Sequence, residues 1–392
     1  MPDRQQTATS AAAALRAFAQ EAPKTPVLIG FDGFVDSIIR VVQKRASLES
    51  YTPMPTIRDF GQRVLAADGK SANFEFVVTQ EKLGGNGPIM ANAMLEATLR
   101  VAYIGALGRP DVHGIFSRFA QRVEAYPVCD PGFTDAVEFG NGKLMLGKYA
   151  HMANLSADMV RAAIPDAELD ELATRSRLFG FTNWTMLPAC ESVYRLLVEK
   201  IPERPAAERP FLFVDFADPA KREDEDLRGV CRLLSTFEPK ARVVLGLNLS
   251  EAGQVMGVLG LGDAAEARDA EGLVATAEAI RSELGLSGVV VHPREGAAAS
   301  LRVGETGGGG TSGGGGVDTA HFRGPYVAEP KLSTGAGDNF NAGFSLGLLA
   351  GLDAAGCLAC GTGTSGFYVR EARSPALPEL ASFLQKLPPP AG

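Results

Sequence analysis

Six short apolar runs decide what this chain can fold into. Residues 27–31, 101–105, 177–181, 211–215, 242–247 and 288–291 are rich in Val, Leu, Ile, Phe and Gly, and each is four to six residues long. Helical segments are predicted between and after them, at 89–99, 189–199, 223–235, 250–259 and 264–284, continuing at 337–350 and 353–370. Parallel strands joined by helical crossovers are buried on both faces, so they read as unbroken apolar runs such as Val289-Val290-Val291. The recurrence predicts a layered α/β domain rather than a helical bundle.

The chain has 392 residues, 45% of them hydrophobic and 21 of them Phe, enough for a large buried core. Its formal net charge of -8 argues against a nucleic-acid backbone as partner, because no general basic surface is available to displace condensed counterions. The five cysteines, at 129, 190, 231, 357 and 360, are too scattered for a disulfide framework. The polar start lacks the basic lead of a secretory signal, and no apolar run reaches the eighteen or so residues of a membrane span. A cytoplasmic enzyme with no membrane partner is the expectation.

Two stretches break the crossover rhythm. Residues 37–82 and 133–151, the latter with an Asn141-Gly142 turn, read as strands of a small lid beside the main sheet, a surface through which two copies can pair. Residues 307–316 are almost all glycine, and 304–320 is expected to be a flexible loop. The predicted organisation is an N-terminal extension over 1–25 with a short helix at 11–20, one domain over 26–375, and a Pro-rich tail over 376–392.

The chemistry is expected to centre on Ser333-Thr334-Gly335-Ala336-Gly337-Asp338. This stretch opens a helix whose Phe340, Phe344 and Leu348 recur every four residues. First-turn amides lack intrahelical acceptors, and small residues let an anion reach them, so Gly335, Ala336 and Gly337 suit a phosphoryl group. Asp338 stands beside them as a candidate proton acceptor for an alcohol. Asp32 and Asp36 follow the first apolar run, where carboxylates can take hydrogen bonds from substrate hydroxyls. Gly84 and Gly85 form a turn open to close substrate approach. Asn248 and Glu251 offer oxygens suited to a hydrated hard cation, or alternatively a helix cap. Asn183 either faces the substrate or anchors its loop in the core. No Gly-Lys-Ser/Thr phosphate loop exists, Gly361-x-Gly363-x-x-Gly366 lacks the strand context of a dinucleotide site, and the histidines have no metal-like spacing.

Over residues 26 to 375 these motifs, in this order, resemble the ribokinase or PfkB-type carbohydrate kinase family. The resemblance implies a three-layer α/β/α ribokinase-like fold with a mainly parallel central sheet and a small β lid. It implies Gly335, Ala336 and Gly337 as the anion hole and Asp338 as the general base. Asp36 and the Gly84-Gly85-Asn86 turn would hold the sugar, with Asp32 and Asn183 nearby, and Asp111-Val112-His113-Gly114 matches a further motif of the family. Asn248-Leu249-Ser250-Glu251 would organise Mg²⁺ mainly through water, with Gly296, Thr334, Gly335 and Gly337 on the nucleotide side. Leu332 stands where the family usually has an acid that helps a monovalent-cation site, which weakens the case for such a cation. Val291-His292-Pro293 replaces the usual Thr-Leu-Gly of the nucleotide strand, and the opening Gly30–Asp36 stretch is similar to that of ADP-dependent sugar kinases, so ADP stands beside ATP as donor. The expected activity is Mg²⁺-dependent phosphoryl transfer from a nucleotide to a sugar hydroxyl. The alternatives are a nucleoside or vitamin-like alcohol as acceptor, or a nucleotide- or sugar-binding protein without catalysis.

Overall fold

The computed structural model describes residues 3–262, 269–303 and 316–391. Its strands, in chain order, are β1 Pro26–Phe31, β2 Phe34–Arg45, β3 Tyr51–Pro53, β4 Phe76–Gly84, β5 Arg100–Gly105, β6 Glu124–Pro127 and β7 Gly132–Phe139. They continue as β8 Gly142–Lys148, β9 Leu178–Phe181, β10 Phe211–Asp215, β11 Arg242–Leu247, β12 Gly288–Val291, β13 Gly296–Arg302 and β14 Val317–Arg323. All six apolar runs lie in one sheet, ordered β14-β13-β12-β11-β10-β9-β1-β5-β6. From β12 to β6 every neighbouring pair is parallel, while β13 and β14 add antiparallel at one edge.

Strand side chains alternate between faces, and here the alternation feeds two separate cores. β11 sends Val243, Leu245 and Leu247 to one core and Val244 to the other, and β12 divides Val289 and Val291 from Val290 in the same way. The first core is covered by helices that include Glu191–Glu199, Asp224–Ser235, Leu249–Leu259 and Ala270–Leu284. Over the second lie Arg4–Phe18, Asn86–Glu96, Ala336–Leu349, Ala354–Glu371 and Leu377–Gln385. This is the expected three-layer α/β/α fold with a mainly parallel central sheet.

The remaining strands build the small lid sheet. β2 pairs antiparallel with β3 and β4 and parallel with β7, which pairs antiparallel with β8 across the Asn141-Gly142 turn. The stretch 37–82 is not all strand, because it contains the helix Ile57–Leu65. The Thr56 hydroxyl caps that helix by accepting from the Asp59 amide at 3.1 Å, and Ile57 and Phe60 pack onto Ile39, Val41, Met54, Val137 and Phe139. The helix is amphipathic, but its nine residues between strand-rich flanks are few enough to be absorbed into a strand reading. The Gly-rich segment lies outside the described residues over 304–315, and 317–320 belong to β14 rather than to a loop. Residues 263–268, at the predicted start of the 264–284 helix, also lie outside them.

The chain's two ends depart from the predicted extension and tail. Residues 377–385 form a helix with Pro378 in its first turn, where a missing amide breaks no intrahelical bond. Its Leu380, Ala381 and Leu384 join the second core together with Ala8, Ala11, Ala12 and Leu15 of Arg4–Phe18. The Arg4 guanidinium donates to the Pro388 carbonyl at 2.8 Å, and the Gln5 amide donates to the Gln385 carbonyl at 3.0 Å. Leu15 is fully buried, so Leu15→Ala should cost about 2–4 kcal/mol of stability, read as a lowered urea midpoint; an unchanged midpoint would make the N-terminal helix a detachable appendage.

Candidate active site

The parallel strands end on one rim, and β1 is where the order of addition reverses, with β5 and β6 on one side and β9 to β12 on the other. Open α/β sheets bind ligands outside the carboxyl ends of their strands at such a switch point. Here those ends carry Asp32 after β1, Asn183 after β9, Asp215 at the end of β10, Asn248 after β11 and His292 after β12.

Asp32 is wholly buried, and its carboxylate is taken up by the protein itself. It accepts from the Asn86 amide at 2.9 Å, the Gly87 amide at 2.8 Å and the Asn183 side-chain amide at 2.7 Å. Asp32 therefore caps the helix Asn86–Glu96 from outside it, and Asn183 serves as its anchor while accepting from the Met186 amide at 3.3 Å. Burial pushes the Asp32 pKa up to about 6 in spite of these donors. The glycine turn is shorter than expected, since Gly85 already ends it in a left-handed conformation and the helix starts at Asn86. Held at that helix start, the Asn86 side-chain amide donates to the Asp338 carboxylate at 2.8 Å.

Asp338 is buried in the first turn of Ala336–Leu349. Burial, and then the field of Asp215, hold its pKa well above the ordinary carboxylate value, with Asn86 pulling it back. A raised pKa makes the ionised form a stronger base. Gly335 caps the helix at φ 90°, a conformation that strains any residue with a Cβ, and a Cβ there would lie 2.9 Å from the Tyr368 hydroxyl. The Ala336 amide is spent on the Ser333 carbonyl at 3.2 Å, whereas the Gly335 and Gly337 amides find no backbone acceptor among the described residues. The loop is braced from both sides. Tyr368 donates to the Thr334 carbonyl at 2.9 Å, and Lys143 of β8 donates to the Thr334 hydroxyl.

Asp36 is the third residue of β2, in the lid sheet, and does not lie in a loop after β1. Its register partners are Lys82 on β4 and Thr134 on β7. Burial raises its pKa, while Lys82, Thr134 and Lys143 favour its charged form. A Cβ on Gly84 would lie 2.4 Å from an Asp36 carboxylate oxygen, so this glycine makes room for the acid. Asp36, the glycine turn, Asn86 and Asp338 thus form one connected wall of the cleft.

Asn248 and Glu251 form a capping box. The Asn248 side chain accepts from the Glu251 amide at 3.0 Å, and Glu251 accepts from the Asn248 amide at 2.8 Å and the Asp218 amide at 2.9 Å. Asp215, also buried, accepts from the Asn341 side-chain amide at 2.5 Å and the Ala217 amide at 2.8 Å. Burial, followed by repulsion from Glu251, pushes the Asp215 pKa up to about 7. Two buried like charges, each with lone pairs left over, suit a nearby hydrated divalent cation held through water. No group of three or more His, Cys, Asp or Glu residues among the described residues could hold a metal ion directly.

Beyond the 333–337 loop opens a cavity of about 770 Å³, lined by residues that include His292, Gly296, Thr362, Gly366, Ala336 and Gly337. His292 stacks on Phe340 at 4.5 Å between ring centroids, and its Nε2 is buried without a partner. Burial brings its pKa down to about 4, so the imidazole is neutral. Arg222, which follows β10, stacks on Trp184 at 4.0 Å and pairs with Asp226 instead of reaching the cleft. Lys143, Asn341 and Tyr368 carry no motif that points to them; their roles appear only once the layers are assembled.

A family model described as prokaryotic ketohexokinase matches residues 3–387. The chain belongs to the prokaryotic ketohexokinase family. It is thereby a member of the ribokinase/PfkB superfamily and a kinase-type enzyme, and membership implies nucleotide binding and magnesium use. A curated ketohexokinase of Haloferax volcanii is 28% identical over 360 residues, covering 91% of this chain and 90% of the relative. Among solved structures, a carbohydrate kinase from Agrobacterium tumefaciens superposes with a TM-score of 0.61 at 16% identity, covering 93% of this chain and 98% of that one. Arabidopsis thaliana ribokinase complexed with ribose and ATP gives 0.60 at 16% identity, covering 92% and 98%. These two likenesses speak for the fold. None of the helices among the described residues is long and apolar enough to cross a membrane.

The buried carboxylate cluster leaves a mark on stability. The folded pKa of Asp215, about 7, lies above its ordinary value of 3.8. Its contribution is therefore most favourable below that ordinary value and is lost as pH rises through about 7. In Asp215→Asn the introduced amide can donate to the Asn341 side-chain oxygen, which has no partner now, once that side chain flips. Thermal melts of the ligand-free protein should show the variant gaining on the parent between pH 5 and pH 8; parallel pH profiles would mean that Asp215 carries no such penalty.

Proposed function

We propose that this family member transfers the terminal phosphoryl group of ATP to a hydroxyl of a ketohexose. The observation that carries the reading is the buried Asp338 carboxylate, set among the Gly335 and Gly337 amides and tied by Asn86 to the turn that borders Asp36. Asp36 is assigned the acceptor's hydroxyls, since its carboxylate is not enclosed by backbone donors as that of Asp32 is. Asp338 takes the proton of the attacking hydroxyl, and its raised pKa favours the capture. The Gly335 and Gly337 amides receive the charge that spreads over the equatorial phosphoryl oxygens. The large cavity beside His292 and Gly296 takes the nucleotide. Asn248, Glu251 and Asp215 would hold Mg²⁺ through water, and the ion would neutralise phosphate charge there. Lid closure excludes water as a competing acceptor.

The choice of a ketohexose rests on the family description and on the relative's name, not on a pocket contact. The test is incubation with Mg²⁺, ATP or ADP, and a panel of ketohexoses, aldoses, sugar phosphates and nucleosides, followed by identification of the phosphorylated product. A ketohexose phosphate made from ATP is expected; a product from another class would replace the acceptor, a strict need for ADP would replace the donor, and no product at all would overturn the reading. Asp338→Asn should melt no lower than the parent, since it removes a buried carboxylate of raised pKa, and should lower kcat by roughly 10²–10⁴-fold, the usual range for losing a general base. Near-normal turnover in that variant would move the proton acceptor elsewhere.

A further inference from the structure

Charge is distributed unevenly around the cleft. Asp32, Asp36, Asp215, Glu251 and Asp338 are all buried there, and a nucleotide brings further negative charge. The loop amides that face the phosphoryl group are neutral donors. Among the described residues, Lys143 is the one cation that hydrogen-bonds to residues 333–338, through the Thr334 hydroxyl. It sits just past the Asn141-Gly142 turn, at the second position of β8.

Two features set Lys143 apart from an ordinary surface lysine. Its cross-strand neighbour Glu138 is already paired with Arg40 at 3.1 Å, and no carboxylate lies within ion-pair distance of Lys143 among the described residues. Its ammonium also acts electrostatically on Asp36 while bonded to Thr334. The Thr334 contact therefore holds it beside the loop assigned to the phosphoryl group, on the same lid sheet that carries Asp36. Lys82, the other lysine acting on Asp36, lines a neighbouring cavity with Asn92, Glu96 and Arg122. Thr334 offers Lys143 a neutral hydroxyl, a weaker partner than a phosphoryl oxygen.

We propose that Lys143 is the cation the lid delivers to the transfer step, exchanging the Thr334 hydroxyl for the equatorial oxygens of the migrating phosphoryl group. This rests on the kinase reading above. It makes the lid part of the catalytic apparatus as well as a cover: a raised lid removes the compensating charge, so transfer is coupled to closure.

The test compares Lys143→Met and Lys143→Arg with the parent, using MgATP and whichever acceptor the parent phosphorylates. Methionine keeps the stem and removes the charge. Lys143→Met should lower kcat by roughly 10²-fold, as for loss of one transition-state donor, with both KM values within about threefold. Lys143→Arg should recover most of that loss, and because Lys143 is exposed both variants should melt with the parent. Four results would overturn the proposal: an unchanged kcat in Lys143→Met, a rise in acceptor KM alone, no recovery in Lys143→Arg, or a fall in melting temperature that accounts for the lost activity. A parent protein that phosphorylates nothing overturns the kinase reading and this inference with it, whereas an active parent with a fully active Lys143→Met overturns this inference alone.

Discussion

The buried carboxylate of Asp32 is the constraint on which the rest of the site depends. Taking a carboxylate out of water costs several kcal/mol, and removing its partners would leave that cost uncompensated. Here three donors meet it, from the start of Asn86–Glu96 and from the loop after β9. They join the first strand of the sheet, its neighbour across the switch point and the helix that carries Asn86. Because that helix start is fixed, the Asn86 side chain reaches Asp338, which lies 252 positions away in the chain. A carboxylate already met by three protein donors thus helps set the position of Asp338, the proposed proton acceptor.

Much of this arrangement was legible in the sequence, for identifiable reasons. Six of the seven parallel strands announce themselves because burial on both faces leaves few polar positions, whereas the half-buried edge strand β6 carries no such run. Asp36, the Gly84-Gly85 turn and Asp338 sit at strand and helix starts, where short motifs fix backbone and side chain together. Asn248 and Glu251 could be read as a metal motif or as a helix cap, and their hydrogen bonds are those of a cap. What was hidden depends on long-range assembly. Nothing local tells that the Asp32 oxygens are occupied by amides of residues 86 and 87, that Lys143 meets Thr334 across 191 positions, or that Asn341 holds Asp215. The helix Ile57–Leu65 was hidden for another reason: it is only nine residues long and is flanked by strand-rich sequence, although its own pattern is amphipathic.

Acid is concentrated on the rim of the sheet and base is supplied by the lid. The sheet side holds Asp32, Asp215, Glu251 and Asp338, each with a pKa raised chiefly by burial. The lid side holds Lys82 and Lys143, both favouring the charged form of Asp36. Such a division means that the electrostatic character of the cleft is not a fixed property of the main domain. It depends also on a five-stranded sheet joined to the main domain through residues 32–33, through Gly85, through 128–131 and through the segment after β8.

The packing of Arg4–Phe18 against Leu377–Gln385 has a consequence for how the molecule is made. Gln5 bonds to the Leu384 carbonyl across 379 positions, and both helices help close the core beneath the Gly335 loop. The opposite core draws its buried residues from Leu28 to Ala298 and needs no C-terminal helix, so it can consolidate while synthesis is under way. The layer beneath the Gly335 loop is different: contacts of such separation form late and slowly, because the loop they close must be ordered first. A nascent chain can therefore carry a folded sheet with one finished face while the face beneath the Gly335 loop still exposes apolar surface, the stage at which association with other chains competes with folding.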